Sequence, residues 1–302
     1  MFSVLVWWKN IPAISKPNAN CFVMNRDLGE LDGNILVFGG PYSNLAVTRA
    51  MRQKAAELDI PSSRIICTGD VVAYCGEPRE TAELIMEWGI PLLMGNCEES
   101  LGFEEDDCGC GFEQDSSCSI LSISWYQFAN QLMTTELRNW MKALPRLISF
   151  GYQGQRFVVI HGSVSSINQF IFPSTPWPEK FDQINSAGAD IVIGGHCGIP
   201  FGQYQGNNGW LNSGVIGMPA NDGSADGWYM LLEPTTHGFR ASWHRLSYDV
   251  VPSQQSTHDA GMFEYARALG DGLWPGMDIL PEAERNLRGE KLTLAPLLFR
   301  AD

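Results

Sequence analysis

Short apolar runs alternate with amphipathic stretches along residues 34–100, and this alternation limits the possible folds more than any other feature of the sequence. The run "NILVFGG" at residues 34–40 is followed by helix-like spacing of apolar residues over 43–60. A second run, "RIICTGD" at 64–70, is followed by another amphipathic stretch and then by "PLLMGN" at 91–96. Strands that alternate with helices predict right-handed βαβ units and parallel pairing. The sequence therefore predicts an α/β fold.

The regular alternation is interrupted once and ends before the carboxyl terminus. Residues 102–118 are acidic and glycine-rich and hold three cysteines, so we expect an inserted, Cys-rich loop there. Strand-like patterns return after residue 145, and the pattern beyond about 250 is mainly helical. We expect an N-terminal extension over 1–33, one α/β domain over 34–250, and a C-terminal helical extension over 251–302 that packs on the same domain.

Charge and hydropathy exclude several classes of partner. The chain carries 20 Lys and Arg against 34 Asp and Glu, a formal charge of −14, and has no dense basic run, so we do not expect nucleic-acid binding. It has no stretch of about 18 apolar residues, so no membrane span is expected. The N-terminus lacks a basic leader and a small-residue cleavage site, which favours a cytoplasmic protein whose eight cysteines are reduced thiols or metal ligands.

A polar residue stands at the end of each of four β-prone runs. Asp70 ends "IICTGD", Asn96 ends "PLLMGN", His161 follows "FVVI" and His196 ends "DIVIGGH". One such residue alone is more often a turn residue than a ligand, but four in the same structural position are expected to converge, because parallel strands bring their carboxyl ends together. A carboxylate, an amide oxygen and two imidazoles suit a divalent transition metal such as Mn, Fe, Zn or Ni.

The order of these blocks resembles a known family. "GD" at 69–70, "GNCE" at 95–98, "HG" at 161–162 and "GHCG" at 195–198 are similar to the calcineurin-like metallophosphoesterase pattern of DxH, GD, GNH(D/E), H and GHxH. The stretch "LNSGVIGMP" at 211–219 resembles the branch that contains YfcE and diadenosine-tetraphosphatase-like proteins. The resemblance covers about residues 34–250 and implies a two-sheet β-sandwich flanked by helices.

The resemblance also implies two metals, of which this chain matches the ligands of one. Family members hold one metal with residues that correspond to Asp70, Asn96, His161 and His196, all present here, and Asp70 would bridge to a second metal. The ligands of that second site are missing, because Gly40 and Tyr42 stand in the DxH motif and Gly198 stands at the second histidine of GHxH. Cys97 replaces the histidine of GNH. We therefore expect about one metal per chain, with Cys97 and Tyr42 facing the substrate.

Three functions are compatible with these departures. The first is a phosphoesterase that hydrolyses a small phosphate mono- or diester with an atypical, single-metal site. The second is a non-hydrolytic metal–thiolate site that uses neighbouring cysteines; the candidates are Cys75, Cys97, Cys108, Cys110 and Cys197. The third is an inactive relative that binds a ligand. We favour the hydrolase, because decay would be expected to remove ligands from both metal sites. The sequence does not predict the oligomeric state.

Overall fold

The computed structural model describes residues 25–113 and 115–300 and contains two β-sheets packed face to face with helices on both outer faces. This arrangement confirms the predicted α/β sandwich. The expectations for residues 1–24, including Cys21, lie outside the described residues.

The first sheet has six strands. In chain order they are β1 (Asn25–Glu30), β4 (Leu147–Tyr152), β5 (Gln155–Ile160), β6 (Ile191–Gly194), β7 (Phe201–Gln205) and β8 (Asn208–Asn212). Their order across the sheet is β1-β4-β5-β6-β8-β7, and β6 runs parallel to both of its neighbours. The carboxyl ends of β5 and β6 therefore reach the same edge.

The second sheet has five strands. They are β2 (Ile35–Phe38), β3 (Ile65–Cys67), β9 (Gly227–Thr235), β10 (Gly238–Leu246) and β11 (Leu297–Arg300). Their order is β11-β10-β9-β2-β3, with β2 and β3 parallel. The third strand expected at "PLLMGN" is reduced to a single bridge between Leu92 and Cys67, because the chain enters a helix at Asn96 directly afterwards.

Nine α-helices lie within the described residues. They are α1 (Leu45–Glu57), α2 (Pro78–Trp88), α3 (Asn96–Phe103), α4 (Ser117–Leu132), α5 (Thr135–Lys142), α6 (Trp177–Ala187), α7 (Val251–Asp259), α8 (Phe263–Asp271) and α9 (Glu282–Asn286). The Cys-rich segment between α3 and α4 is irregular, as expected of a loop, although α4 already begins at Ser117.

Alternating side chains of β2 show how the layers are held together. Ile35 and Val37 are fully buried between the two sheets, whereas Leu36 and Phe38 are fully buried on the opposite face, in the cluster that includes Met51 of α1. A strand covered on both faces must be apolar throughout, which is why "ILVF" lacks the polar alternation of a solvent-exposed strand. The other outer face, beyond the first sheet, is covered mainly by α6.

The two ends of the described chain both join sheets. β1 pairs in parallel with β4 at one edge of the first sheet, and β11 pairs antiparallel with β10 at one edge of the second. The domain boundaries at 33 and 250 remain predictions. Among the described helices none has the length and hydropathy that a bilayer-spanning segment needs.

Candidate metal centre

The four residues predicted from strand ends come together where the two sheets meet. Asp70 lies in the loop after β3, Asn96 is the first residue of α3, His161 directly follows β5 and His196 follows β6. All four are buried, with at most 8% of their surface exposed. Asp70 and His196 adopt left-handed backbone conformations, with φ of 56° and 58°. Such conformations are unfavourable for side-chain-bearing residues, and they cluster at functional sites.

His161 is at the centre of the group. Its Nε2 lies 3.2 Å from Asp70 Oδ2, 3.1 Å from Asn96 Oδ1 and 3.2 Å from His196 Nδ1. Its Nδ1 lies 2.7 Å from the carbonyl of Thr68, which can only accept, so Nδ1 carries a proton and donates it. In neutral His161, Nε2 is therefore an unprotonated nitrogen that faces other acceptor atoms.

The orientation of Asn96 strengthens this conclusion. Its Nδ2 donates to the carbonyl of Cys108 at 2.9 Å, so the oxygen of the amide is the atom that faces His161. In the neutral form of His161, a carboxylate oxygen, an amide oxygen and two imidazole nitrogens share this buried space. Lone pairs that converge in this way repel one another unless a proton or a metal ion lies between them, and the donor set is of a kind that suits a divalent metal ion.

The surroundings shift the pKa values of the two histidines in opposite directions. Burial alone would lower the pKa of His161, but the carboxylate of Asp70 raises it above the ordinary value. Burial would raise the pKa of Asp70, and His161 lowers it. Burial and the neighbouring His161 lower the pKa of His196 to about 3, so its imidazole is neutral and able to ligate.

Glu98 supports the site from behind Asp70 and was not among the residues predicted from strand ends. It is fully buried, and its carboxylate accepts backbone N–H groups from Asp70 and Val71 at 2.7 Å each, from Gly95 at 2.9 Å and from Val72 at 3.4 Å. These bonds fix the tight turn that carries Asp70. Burial and the charge of Asp70 raise the pKa of Glu98 to about 7. The acidic position of "GNCE" was the available sequence signal.

The backbone at Gly40, in the segment that corresponds to the DxH motif, is closely packed. A side-chain Cβ built at Gly40 would lie 2.6 Å from Tyr42 Cζ and 2.6 Å from Val215 Cγ1, and Gly40 has a φ of 43°. The second oxygen of Asp70, Oδ1, accepts the backbone N–H of Cys97 at 3.2 Å. Gly40 is therefore packed against Tyr42, and one oxygen of Asp70 is engaged by a backbone donor.

Tyr42 and Cys97 occupy different surroundings. Tyr42 lines a cavity of about 70 Å³ together with His196, and burial and Asp70 raise the pKa of its phenol well above the ordinary value. Cys97 is fully buried outside the cavity lining, and burial and Asp70 likewise raise the pKa of its thiol. Both groups therefore keep their protons at neutral pH. Their catalytic roles remain predictions.

The other described cysteines lie in separate surroundings. Burial raises the pKa of both Cys75 and Cys197 to about 12, so these thiols are protonated. Cys108 and Cys110 lie side by side, with their Cα atoms 5.3 Å apart, a separation that a disulfide permits. Among the described residues, the only close group of three potential ligands is Asp70, His161 and His196. This donor set favours a nitrogen and oxygen site.

Comparison with known proteins agrees with the fold and the motif order. A family model described as calcineurin-like phosphoesterase matches residues 34–222. The uncharacterized protein MJ0912 of Methanocaldococcus jannaschii is 26% identical over 184 residues, which are 60% of this chain and 69% of that protein.

Two solved structures resemble the molecule over most of its length. A metallophosphoesterase from Sphaerobacter thermophilus has a TM-score of 0.63 at 18% identity and covers 80% of this chain and 100% of its own. The hypothetical protein PH1004 from Pyrococcus horikoshii OT3 has a TM-score of 0.67 at 15% identity, with coverage of 80% and 99%. At these identities the similarity shows a shared fold.

Proposed function

The chain belongs to the calcineurin-like phosphoesterase family, and on that premise we propose that it hydrolyses a phosphate mono- or diester with a single divalent metal ion. The observation that carries the proposal is the convergence of acceptor atoms around His161 Nε2, where Asp70, Asn96 and His196 approach to 3.1–3.2 Å. These four residues would hold the metal. When bound, a divalent cation supplies Lewis acidity to a phosphoryl oxygen and makes a water molecule more acidic.

The protein fixes the ligands before any metal binds. Thr68 orients His161 through its carbonyl, Cys108 orients Asn96 through its carbonyl, and Glu98 holds the turn of Asp70. Such outer contacts decide the tautomer and direction of each ligand. The ligand geometry is therefore preorganised, which supports a site that works on a bound substrate rather than one that assembles loosely around an ion.

Tyr42 is the residue best placed to act on the substrate. Its ring borders the cavity beside His196, and because its pKa is raised by burial and Asp70, the hydroxyl stays protonated. A protonated phenol can donate a hydrogen bond to a phosphoryl oxygen or to the departing alkoxide. We propose this role for Tyr42 in place of the histidine of GNH, whose position Cys97 occupies.

Elemental analysis of the chain loaded with Mn²⁺ and then dialysed tests the metal count. We expect about one metal per chain, and loss of that metal in His161→Ala and in His196→Ala. His258→Ala is the matched control, because its side chain is 60% exposed and lies outside the site. Two tightly held metals per chain would contradict the single-site proposal.

Hydrolysis of 4-nitrophenyl phosphate and bis(4-nitrophenyl) phosphate tests the reaction. Tyr42→Phe should lower kcat by roughly 10²-fold, in the range of general acid–base contributions, and leave the metal content unchanged. Asp70→Ala should abolish both metal binding and turnover. Activity that survives Asp70→Ala would exclude the mechanism, and a chain that binds one metal but hydrolyses neither ester would indicate an inactive ligand-binding relative.

The substrate, the partners and the cellular location are further proposals. The small phosphorylated substrate, the absence of nucleic-acid and membrane partners and the cytoplasmic location are predictions from charge and hydropathy. Salt-dependent binding to DNA or RNA at physiological ionic strength would contradict the second of them.

A further inference from the structure

The cavity beside the metal centre is lined almost entirely by uncharged, apolar groups. It has a volume of about 70 Å³, and six aromatic side chains contribute to its walls. They are Tyr42, Tyr74, Phe112, Phe170, Tyr265 and Trp274. His196, one of the four candidate metal ligands, also lines the cavity. A molecule bound in the cavity would therefore lie directly beside the metal centre.

Charge is absent from the walls. None of the sixteen lining residues is Asp, Glu, Lys or Arg, and His196 is the one histidine among them. A polyphosphate or a second phosphate group placed there would lose its hydration without gaining an opposite charge, which is strongly unfavourable. The cavity lining therefore disfavours binding of anionic groups and favours binding of apolar ones.

The C-terminal part of the chain builds one wall and holds it in place. Trp274 Nε1 donates to the carbonyl of Pro219 at 2.7 Å, and the Trp274 backbone N–H donates to Asn221 Oδ1 at 2.9 Å. Tyr74 contacts both Tyr42 and Tyr265, with ring centroids 4.7 Å and 5.0 Å apart. Because these rings are packed and hydrogen-bonded to the sandwich, the cavity exists before a ligand enters.

One polar atom at the border of the cavity residues has no partner. His196 Nδ1 faces His161, while its Nε2 is buried without a hydrogen-bond partner among the described residues. The ring of His196 packs against Phe170, with centroids 4.1 Å apart. His196 therefore contributes both an aromatic face and a buried polar nitrogen to the residues around the cavity.

We propose that this cavity binds the alcohol part of the ester and selects a small uncharged group, a single aromatic ring or a short alkyl chain. This inference rests on the proposed function, because the metal centre would hold the phosphoryl group while the cavity holds the group attached to it. A volume of about 70 Å³ suits a small group such as one ring. The substrate class is thus a simple aryl or alkyl phosphate.

Binding of non-hydrolysable phosphonates to the Mn²⁺-loaded chain, measured by calorimetry, tests the inference without turnover. Phenylphosphonate should bind about 10- to 100-fold more tightly than methylphosphonate, because its ring leaves water. Naphthylphosphonate and adenosine 5′-monophosphate should lose that advantage. Equal affinities for phenyl- and methylphosphonate, or no binding of either, would overturn the inference.

Two variants locate the effect in the cavity. Leu121→Phe fills space from α4 and should reduce the phenyl preference at least about 10-fold while methylphosphonate binding stays unchanged. Leu132→Phe on the same helix is the control, because Leu132 is 38% exposed and lies outside the lining. If Leu121→Phe fails to fold, Trp274→Ala enlarges the cavity and should instead improve naphthylphosphonate binding. A preference that neither variant changes would overturn the assignment.

The outcomes separate this inference from the proposed function. Tight phenylphosphonate binding with no hydrolysis of any ester would exclude the hydrolase and retain the ligand class. Hydrolysis of methyl and phenyl esters with equal kcat/KM and equal phosphonate affinity would retain the hydrolase and exclude the selective cavity.

Discussion

Asn44 connects the loop after β2 to three other parts of the molecule, and its removal provides a quantitative test of the fold around the site. Its Oδ1 accepts the backbone N–H of Val47 at 3.2 Å, which caps α1, and the hydroxyl of Ser253 at 2.6 Å. Its Nδ2 donates to the carbonyl of Gly217 at 3.0 Å and to the Tyr248 oxygen at 2.9 Å. Asn44 is fully buried, so water cannot replace these bonds.

The expected effect of Asn44→Ala follows from this inventory. Loss of a helix cap lowers the free energy of unfolding by about 1 kcal/mol, and each of the three further buried hydrogen bonds contributes about 1 kcal/mol. We therefore expect a loss of about 4 kcal/mol. Thr134→Ala is the matched control, because Thr134 caps α5 through one bond to Leu137 at 3.2 Å and should lose only about 1 kcal/mol.

Urea unfolding of the metal-free chains, followed by tryptophan fluorescence and circular dichroism, measures both variants. The metal content of folded Asn44→Ala, determined separately, should stay at about one per chain, because Asn44 touches none of the four ligands. If Asn44→Ala and Thr134→Ala lose the same free energy of unfolding, the network has no stabilising role and the argument fails.

Three further predictions concern other parts of the structure. Gly40→Asp should lower the free energy of unfolding by about 3 kcal/mol, because its side chain overlaps Tyr42, and should not raise the metal content found by elemental analysis. Burial lowers the pKa of His244, so below about pH 6.5 the unfolded chain binds more protons than the folded chain and stability should fall on acidification. In His244→Gln the melting temperature should therefore change less between pH 7 and pH 5. Asp222 forms an ion pair with Arg245, so Asp222→Asn should lower the free energy of unfolding in urea by about 2 kcal/mol. An unchanged urea midpoint would contradict the pairing.

The elements that the sequence predicted well are those with a local signal. β2, α1, β3 and α2 follow from apolar periodicity, and the ligands Asp70 and His196 follow from their positions at the ends of strands. Glycine precedes each of these two ligands, and both ligands adopt positive φ. Local spacing, turn chemistry and side-chain type were sufficient there, because the neighbouring residues themselves determine the geometry.

The features that sequence reasoning missed depend on contacts between distant segments. Tyr74 and Tyr265 stack although 191 positions separate them, and Asn44 reaches Ser253 across a separation of 209. No periodicity within a window of a dozen residues records such pairs. The expected third strand illustrates the opposite error: Leu92 lies in an apolar run, but the helix that starts at Asn96 leaves it only a single bridge.

The departures at positions 40 and 42 depend on each other, and this affects how the second metal site is interpreted. A site that had only lost its ligands would leave a polar cavity beside Asp70. Here the ring of Tyr42 lies within 2.6 Å of where a Cβ of residue 40 would stand, so a phenol at 42 requires glycine at 40. Since Asp70 Oδ1 is already held by the N–H of Cys97, the carboxylate is committed to one side. Tyr42 thus stands where the family motif has a metal-binding histidine, and we expect substrate specificity to depend on this ring and on the apolar cavity that it lines.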